Sequence, residues 1–347
     1  MKNICDILKL YERKGDKRME KTQKIQIGIV GYGNIGRGVE CVIAKNVDME
    51  LAGIFTRRNP ASVQTISGTK SYHMDELSNF KNKIDVLILC GGSATDLPEQ
   101  GPKLAQDFCT IDSFDTHAKV PEYFEAMNNA ALTGDNISII SVGWDPGLFS
   151  LLRTYAEAVI PEGNTYTFWG KGVSQGHSDA IRRIEGVKNA VQYTVPIEAA
   201  VDAVRSGVQP ELTTREKHLR ECYVVLEDGA DEEKVKRAIC EMPNYFSDYD
   251  TTVTYITEEE LATNHGKMPH GGFVIRSGET SPGTKQLMEF SLQLDSNPEF
   301  TAGVLVAYAR AAYKMKKKGA TGAMSVFDVA PTYLMNESAA DLRKRIL

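Results

Sequence analysis

Residues 28–38 read GIVGYGNIGRG, an apolar run that ends in closely spaced glycines. Gly31, Gly33 and Gly36 match the G-x-G-x-x-G pattern between a strand pattern and a helix pattern. The first glycine permits a tight turn, the second lets the backbone approach a pyrophosphate, and the third lets the helix pack closely on the strand. The helix N-terminus also offers unpaired N–H groups to phosphates. A glycine turn without a ligand is the alternative. The residues predicted to contact a dinucleotide here are Gly31, Gly33, Asn34, Ile35 and Gly36.

Short apolar strands and amphipathic helices alternate from residue 25 to residue 142. Predicted strands cover residues 24–30, 49–56, 84–90, 109–113 and 136–142, and predicted helices cover 34–45, 98–107 and 121–133. Pro98 and Pro121 open the second and third of these helices. Such alternation is typical of βαβ units, so we predict an α/β, doubly wound Rossmann domain with a parallel sheet and helices on both faces.

The pattern changes after residue 146 to longer alternating strands. They are predicted at 164–170, 218–226, 251–257, 271–278 and 285–294. This pattern favours an α+β domain with a mostly antiparallel sheet that is covered on one face. A helix near 298–317 is expected to return to the first domain. The predicted divisions are therefore an extension (1–22), a nucleotide-binding domain (23–145, with 298–347 returning to it) and a second domain (146–297).

Composition excludes several classes of function. The chain has 347 residues, 42% of them hydrophobic, which is enough for two cores. A net charge of -6 leaves no broad basic face, so nucleic acid is not an expected partner. Six scattered cysteines without a CxxC pair predict no zinc site, no other metal site and no disulfide framework.

The N-terminal residues carry too many charges for a signal-peptide core, and no apolar run is long enough to cross a bilayer. We therefore expect a cytoplasmic protein that does not contact membranes. The first 22 residues resemble nothing that follows them. One hypothesis is that translation begins at Met19 and that the codons for residues 14–16 hold a ribosome-binding sequence.

The end of the second predicted strand points to the type of dinucleotide. About 20 residues beyond the third glycine, NAD enzymes usually carry an acidic residue for the ribose 2'-hydroxyl. Here the chain reads Phe55-Thr56-Arg57-Arg58, with no carboxylate. Guanidinium groups match phosphate oxygens, so we predict NADP(H), held at its 2'-phosphate by Thr56, Arg57 and Arg58. A solvated basic pair is the alternative.

The third predicted strand ends in another turn of small residues, CGGSATD. In open α/β sheets the ligand lies over the carboxyl edge of the strands. The residues predicted to line the ribose and nicotinamide half of the site are Cys90, Gly91, Gly92, Ser93 and Ala94. A plain strand-to-helix connection is the alternative.

Two acids follow the fourth and fifth predicted strands, Asp115 in DSFDTH and Asp145 in SVGWDPG. Neither has a lysine or arginine next to it in the sequence, so both are candidates to bind a substrate ammonium near the nicotinamide. Capping of a local turn or helix is the alternative for each.

Further polar groups occur in the second domain. Gln175-Gly176 is predicted as a loop before a helix that Ser178 caps and Gly186 ends, and such a helix start suits a carboxylate. Trp144 and Trp169 are candidates for pocket walls or for core packing. No spacing argument links Thr194, Arg220 and His270, for which a surface salt bridge or a structural role is the alternative.

Several motifs together resemble one family closely: GYGNIGR, GIFTRR, CGGSATDLPEQ, GWDPG, SQGHSDA, MPHGG and NPEFTA. They resemble meso-2,6-diaminopimelate D-dehydrogenase, an NADP-dependent family of lysine biosynthesis, from about Lys24 to Leu334. The resemblance implies a homodimer, with residues 146–297 serving dimerisation and substrate binding. It also implies reversible oxidative deamination at the D-carbon of meso-2,6-diaminopimelate, which gives L-2-amino-6-oxopimelate, ammonia and NADPH. Thr56 stands where the family often has serine, which keeps the hydroxyl.

The resemblance implies roles for individual residues as well. Asp115 and Asp145 would hold the D-centre amine, and either is a candidate for proton transfer. The residues implied at the remaining subsites are Trp144 and Trp169 around the D-centre, Gln175 and Gly176 at its carboxylate, and Thr194, Arg220, His270 and Asn297 at the distal L-amino acid group.

Other assignments remain open from the sequence. A broad D-amino acid dehydrogenase, a semialdehyde dehydrogenase, a dihydrodipicolinate reductase or a sugar dehydrogenase would share the architecture. A sugar enzyme is expected to show Glu-Lys-Pro after the third strand, whereas this chain reads Glu99-Gln100-Gly101-Pro102. No cysteine is flanked in a way that identifies a nucleophile. A protein that binds NADP(H) without turnover is the non-enzymatic alternative.

Overall fold

The structure is a computed structural model that describes residues 24–347. The predicted extension and the hypothesis of a start at Met19 concern residues outside this range. Within residues 24–347, no helix is long and apolar enough to span a bilayer.

A seven-stranded parallel sheet forms the first domain, in the order β14-β6-β5-β4-β1-β2-β3. Its elements are β1 (Ile25–Val30), α1 (Asn34–Ile43), β2 (Met49–Thr56), β3 (Ser71–His73), β4 (Val86–Leu89), α2 (Leu97–Ala105), β5 (Thr110–Asp112), α3 (Val120–Thr133), β6 (Ile137–Ile139) and, from the C-terminal part, β14 (Gly322–Met324). The predicted doubly wound parallel sheet is confirmed. Each predicted element is present, with ends that differ by at most three residues.

The strands are apolar on both sides because both faces of this sheet are covered. Successive residues of β4 show the division: Ile88 faces one core and Leu89 faces the other, and both are fully buried. Helix α1 and the long helix α10 (Asn297–Lys316) cover the first face, whereas α2 and α3 cover the second. Helix α10 approaches α1 so closely that a Cβ at Gly38 would lie 2.9 Å from the Cβ of Ala302. Two short helices, α11 (Pro331–Leu334) and α12 (Ala339–Ile346), end the chain.

The region between β6 and α10 contains two sheets. One has the order β11-β10-β9-β8 and the other β13-β12-β7. The elements are α4 (Leu148–Val159), β7 (Glu162–Trp169), β8 (Gly172–Val173), α5 (Gln175–Arg182), β9 (Val187–Pro196), α6 (Glu198–Arg205), α7 (Thr214–Lys217), β10 (His218–Leu226), α8 (Glu232–Cys240), β11 (Asp250–Tyr255), α9 (Glu258–His265), β12 (His270–Ser281) and β13 (Thr284–Leu294). All neighbouring strands are antiparallel except β10 and β11, which pair in parallel across the α8 connection. The mostly antiparallel α+β region is therefore confirmed, although its strands are divided between two sheets.

Four strands were not predicted from the sequence. Three of them, β3, β8 and β14, have only two or three residues, too few to establish an alternating pattern. The fourth, β9, is long, but its buried face includes Gln192 and Thr194 beside apolar residues. The residues of β9 that point inward therefore do not form the apolar alternation from which a strand is predicted.

The predicted start of α5 was wrong. Gln175 is the first helical residue, and Ser174, not Ser178, is the N-cap, because the Ser174 hydroxyl accepts a hydrogen bond from the main-chain N–H of His177. Ser178 lies one turn later, and its hydroxyl donates to the main-chain oxygen of Ser174 at 2.6 Å. The helix ends at Arg182, four residues before Gly186.

Candidate active site

A cleft of about 630 Å³ lies between the carboxyl edge of the parallel sheet and the sheet formed by β8 to β11. Residues from both domains line it. The predicted site residues on its walls are Asn34, Ile35, Cys90, Gly91, Gly92, Asp115, Trp144, Asp145, Trp169, Gln175, Gly176, Thr194, Arg220, His270 and Asn297. The predicted residues that do not line it are Gly31, Gly33, Gly36, Thr56, Arg57, Arg58, Ser93 and Ala94.

The glycine turn after β1 leaves space where a dinucleotide phosphate is expected. Gly31 has φ of +90°, a conformation that favours glycine. A Cβ at Gly36 would overlap the main-chain oxygen of Gly31, whereas a Cβ at Gly33 would meet no atom within 4 Å. The turn therefore has one tightly packed side and one open side, as a pyrophosphate cradle requires.

The two arginines after β2 are held by partners that are distant in sequence. Arg58 donates through Nη2 to the main-chain oxygen of Tyr32 at 2.6 Å. Arg57 donates through Nη2 to Oδ1 of Asp96 at 2.7 Å, and Asp96 also accepts from the N–H of Gly92 at 2.9 Å. The side chain of Arg57 is 69% exposed, which leaves most of its guanidinium available. Arg58 thus lies beside the glycine turn after β1, and Arg57 lies beside the glycine turn after β4.

Glu40 of α1 supports this region and was not predicted from the sequence. It is buried, and its carboxylate accepts hydrogen bonds from the Tyr32 hydroxyl, from the N–H of Ile66 at 3.1 Å and from the N–H of Ser67 at 2.8 Å. These bonds hold the segment after Arg58 against the glycine turn and lower the pKa of Glu40 against the opposing effect of its burial. In the sequence, the sign of this supporting role was an acidic residue on the inward face of an amphipathic helix.

Asp145 lies at the end of the parallel sheet nearest the second domain, and its side chain is 4% exposed. Arg153 of α4 binds it at two points, with 2.6 Å from Nη2 to Oδ1 and 3.3 Å from Nη1 to Oδ2. The indole N–H of Trp169 donates to Oδ2 at 2.7 Å. A cation therefore lies beside Asp145 in space although no lysine or arginine is next to it in the sequence. The chain turns after Asp145 and brings α4 back over it, which adjacency in sequence does not reveal.

The two tryptophans are both cleft walls and members of one small apolar cluster. Trp144 donates through its indole N–H to Oδ1 of Asn297 at 3.0 Å, and its ring lies 4.7 Å from the ring of His270. The main-chain N–H of Trp169 donates to Nε2 of His218 at 2.8 Å. Burial lowers the pKa of His218 to about 3, so it is a neutral acceptor at this position.

Asp115 follows β5 and is exposed to the cleft. Its main-chain N–H donates to the hydroxyl of Ser93 at 2.8 Å, and that hydroxyl lies 3.2 Å from the hydroxyl of Thr116. The loops after β4 and β5 are joined at this point. Ser93 therefore lies behind the cleft surface as a support for Asp115.

At the other end of the cleft, Thr194 and Arg220 lie opposite each other on β9 and β10. Arg220 is 6% exposed and hydrogen-bonds to the Thr194 hydroxyl through Nη1. Its guanidinium lies 3.7 Å from the ring centroid of Tyr249, and its Nε has no hydrogen-bond partner among the described residues. Burial lowers the pKa of Arg220, and no carboxylate in residues 24–347 opposes that effect. The alternative of a surface salt bridge does not hold for this arginine.

His177 completes this end and was not predicted as a site residue. It lines the cleft at the start of α5, and its Nδ1 lies 2.6 Å from the Ser174 hydroxyl. Burial, together with the charge of Arg220, lowers the pKa of His177 to about 4. Burial also lowers the pKa of His270. The cleft therefore places neutral imidazoles around one buried guanidinium. In the sequence, the sign that His177 belongs to the site was its position in the first turn of a helix, directly after Gly176.

Comparison with known proteins shows the family to which the chain is similar. The family model of the diaminopimelic acid dehydrogenase C-terminal domain matches residues 143–296. A meso-diaminopimelate D-dehydrogenase of Ureibacillus thermosphaericus is 64% identical over 324 residues, which is 93% of this chain and 99% of that protein.

Solved structures are similar over the same span. A six-substitution variant of the enzyme from Clostridium tetani, crystallised with diaminopimelate, is 56% identical, with a TM-score of 0.90 over 93% of this chain and 100% of that chain. An engineered D-amino acid dehydrogenase bound to NADP+ is 45% identical, with a TM-score of 0.84 over 94% of this chain and 100% of that chain.

Proposed function

Because this chain belongs to the meso-diaminopimelate D-dehydrogenase family, we propose that it catalyses the reversible oxidative deamination of meso-2,6-diaminopimelate at its D-centre. The chain is an oxidoreductase that acts on an amino acid with a nicotinamide cofactor. The products are L-2-amino-6-oxopimelate, ammonia and the reduced cofactor, in diaminopimelate and lysine biosynthesis. The cytoplasmic location expected from the composition belongs to the same proposal.

One observation carries the substrate assignment: a single cleft has an anionic end and a cationic end. Asp115 and Asp145 lie at the carboxyl edge of the parallel sheet, and Arg220, buried without a carboxylate partner among residues 24–347, lies on β10. A buried guanidinium without an acidic partner is unfavourable unless a ligand supplies the anion. A molecule with two amino acid heads places an ammonium at the first end and a carboxylate at the second.

The proposed cofactor is NADP(H). The residues that would hold it are the glycine turn at Gly31 to Gly36, the small-residue turn at Cys90 to Ala94, and Thr56, Arg57 and Arg58 at the 2'-phosphate. The open side of Gly33 and the exposed guanidinium of Arg57 support this fit. When bound, the nicotinamide ring supplies the acceptor for the hydride that leaves the substrate.

The residues at the D-centre have different tasks in this proposal. Asp145 is already bound by Arg153 and Trp169, which fix the carboxylate where it can bind the substrate ammonium. Asp115 is exposed to the cleft and accepts the proton that the ammonium must lose before its lone pair can form the C=N bond. General acid–base assistance of this kind is typically worth about 100- to 10,000-fold in rate. Water then attacks the substrate iminium carbon, and ammonia leaves.

The distal contacts decide which centre reacts. Arg220, Thr194, His270 and Asn297 would bind the L-head, and Gln175 and Gly176 would meet the carboxylate of the D-head at the start of α5. Exchange of the two heads would turn the wrong hydrogen toward the nicotinamide. Correct orientation of reacting groups lowers a barrier by several kcal/mol, about 7–11 in the best cases.

We propose a homodimer as the functional state. Helix α4 exposes Tyr155 and Val159, which are 61% and 45% exposed, beside the sheet that carries β7. Exposed apolar side chains on one helix suit a contact with a second copy. Light scattering of the purified protein tests this, because a mass near 77 kDa is expected and a mass near 38 kDa contradicts it.

The function is tested by following NADPH absorbance with NADP+ and the three stereoisomers of diaminopimelate. Rapid reduction with the meso isomer and little with the L,L isomer is the expected result. Equal rates with L,L-diaminopimelate contradict the proposal. Rapid reduction with simple D-amino acids and none with meso-diaminopimelate supports the alternative of a broad D-amino acid dehydrogenase.

A further inference from the structure

We propose that Asp112 is a positioning residue whose buried carboxylate sets the distance between the loops that carry Asp115 and Asp145. The inference rests on the proposed function, since those two acids are its proposed site residues. Asp112 does not line the cleft and is fully buried. It therefore acts through the loops rather than on a substrate.

The carboxylate of Asp112 is bound by both loops at once. Its Oδ1 accepts a hydrogen bond from the N–H of Phe114 at 3.0 Å and another from the N–H of Ser141 at 3.2 Å. Phe114 is the residue before Asp115, and Ser141 begins the turn that leads to Asp145. One oxygen atom thus joins the end of β5 to the end of β6.

The second oxygen fixes the carboxylate itself. Oδ2 accepts from the Tyr123 hydroxyl at 2.8 Å, and the ring of Tyr123 stacks on that of Phe114 at 4.1 Å. Tyr123 belongs to α3, so the carboxylate cannot turn without breaking a contact to a rigid helix. The main-chain oxygen of Asp112 also accepts from the N–H of Val142 at 2.8 Å.

Ser141 shows that this contact constrains the backbone. Ser141 has φ of +56°, a left-handed conformation that a residue with a side chain rarely adopts. Its hydroxyl is buried without a hydrogen-bond partner among the described residues, so its own side chain does not stabilise the turn. The bond from its N–H to the Asp112 carboxylate is the side-chain contact that holds it, between the main-chain bonds of Ile140 and Val142 on either side.

A buried carboxylate is unfavourable for folding alone. Within residues 24–347 no cation contributes to the environment of Asp112, and burial outweighs its three hydrogen bonds in raising its pKa. Thr110, two residues earlier on the same strand, shows how β5 and β6 can be joined without a buried charge. Its hydroxyl donates a hydrogen bond to the hydroxyl of Ser138 on β6. The carboxylate reaches two backbone N–H groups and a hydroxyl, which a hydroxyl side chain cannot do.

The test compares Asp112→Ala, Asp112→Asn and Thr110→Val in the complete protein. Thr110→Val is the matched control, because it removes a buried hydrogen bond between the same two strands but none to the loops. Steady-state kcat and KM for meso-diaminopimelate and NADP+ are measured well below the thermal midpoint of each variant. A crystal structure of Asp112→Ala is determined in parallel.

We expect Asp112→Ala to lower kcat by about 10- to 100-fold, because misplacement of a reacting group by about 1 Å has an effect of that size. The KM for NADP+ should stay within about threefold. Asp112→Asn should restore most of the lost kcat, since its amide oxygen still accepts from both N–H groups while Tyr123 accepts from its NH2. Thr110→Val should lower the thermal midpoint without lowering kcat.

An unchanged kcat in Asp112→Ala would overturn the proposal, and so would an equal loss in Thr110→Val or no recovery in Asp112→Asn. If the alanine variant does not fold, Asp112→Ser replaces it, because its short side chain does not reach Ser141. If wild type does not oxidise meso-diaminopimelate, the proposed function fails, and the crystal structure still decides the inference. A Ser141 that keeps its conformation in Asp112→Ala contradicts it.

Discussion

Arg153 and Asp145 form a two-point ion pair in the wall of the cleft, with 2.6 Å between Nη2 and Oδ1 and 3.3 Å between Nη1 and Oδ2. The same carboxylate accepts the indole N–H of Trp169. The carboxylate of Asp145 thereby joins Arg153 of α4 to an aromatic wall of the cleft.

Arg153→Met should lower kcat at least about tenfold and destabilise the protein by about 1–3 kcal/mol, because a carboxylate that is 4% exposed loses its cation. Lys188→Met is the control, since the Lys188–Glu258 pair is more than half exposed and such pairs contribute little to stability. Kinetics and urea unfolding measure the two effects. A stable Arg153→Met variant with full activity would show that the pair does not organise the site.

Arg220→Met should raise the KM for meso-diaminopimelate by about 30- to 5,000-fold, since a buried charge-paired contact to a ligand is worth about 2–5 kcal/mol. Folding stability should stay the same or rise, because the variant removes a buried cation that no carboxylate neutralises. Combination with His270→Asn should widen the acceptance of simple D-amino acids. Steady-state kinetics measure the KM and the substrate range, and thermal unfolding measures the stability. Unchanged selectivity would contradict the proposal that these residues bind the distal L-head.

Arg57→Ala and Arg58→Ala should differ in their effect on cofactor selectivity. Arg57→Ala should lower kcat/KM for NADP+ by about 10- to 150-fold and leave that for NAD+ unchanged, because loss of a charged hydrogen bond costs about 1.5–3 kcal/mol. Arg58→Ala should lower both values, since Arg58 also binds the main-chain oxygen of Tyr32 in the glycine turn. Kinetics with each cofactor measure this. Equal losses with NADP+ and NAD+ in Arg57→Ala would contradict a 2'-phosphate contact.

Asp112→Asn should become more stable than wild type as the pH rises from 4 to 7. Burial raises the pKa of Asp112 from 3.8 to about 6, so the folded protein favours the protonated acid. Stability from this group is complete below pH 4 and is lost as the pH rises through 6, by about 3 kcal/mol in total for a shift of about two pKa units. Denaturant unfolding of both proteins at several pH values gives this difference. A difference that is independent of pH would contradict the raised pKa.

Local patterns were enough to predict the first domain except for its two three-residue edge strands, β3 and β14. The glycine turn, the strand before it and the helix after it are encoded in consecutive residues, and Gly31 and Gly36 have the roles that their spacing indicates. Arg57 and Arg58 also lie beside that turn because β2 neighbours β1 in a doubly wound sheet. These features depend on neighbours in sequence or on a topology that the pattern itself determines.

Contacts between distant elements could not be predicted in the same way. Arg153, Tyr249 and Asp112 reach the site region through helix and strand packing, and nothing in the residues around them indicates their partners. Thr194 and Arg220 are cross-strand neighbours, yet the strand that carries Thr194 was not predicted, so their pairing could not be derived. The resemblance to a family grouped Thr194 and Arg220, and the strand register supplies the physical reason.

The most direct test of the account uses meso-diaminopimelate that carries deuterium at the D α-carbon alone. The cleft should present only this carbon to the nicotinamide. We therefore predict that the reduced cofactor gains one mass unit and that kcat or kcat/KM falls if hydride transfer limits the rate. Reduced cofactor without deuterium would show that the L-centre reacts, which contradicts the proposal that Arg220 and Asp145 bind opposite heads of one substrate.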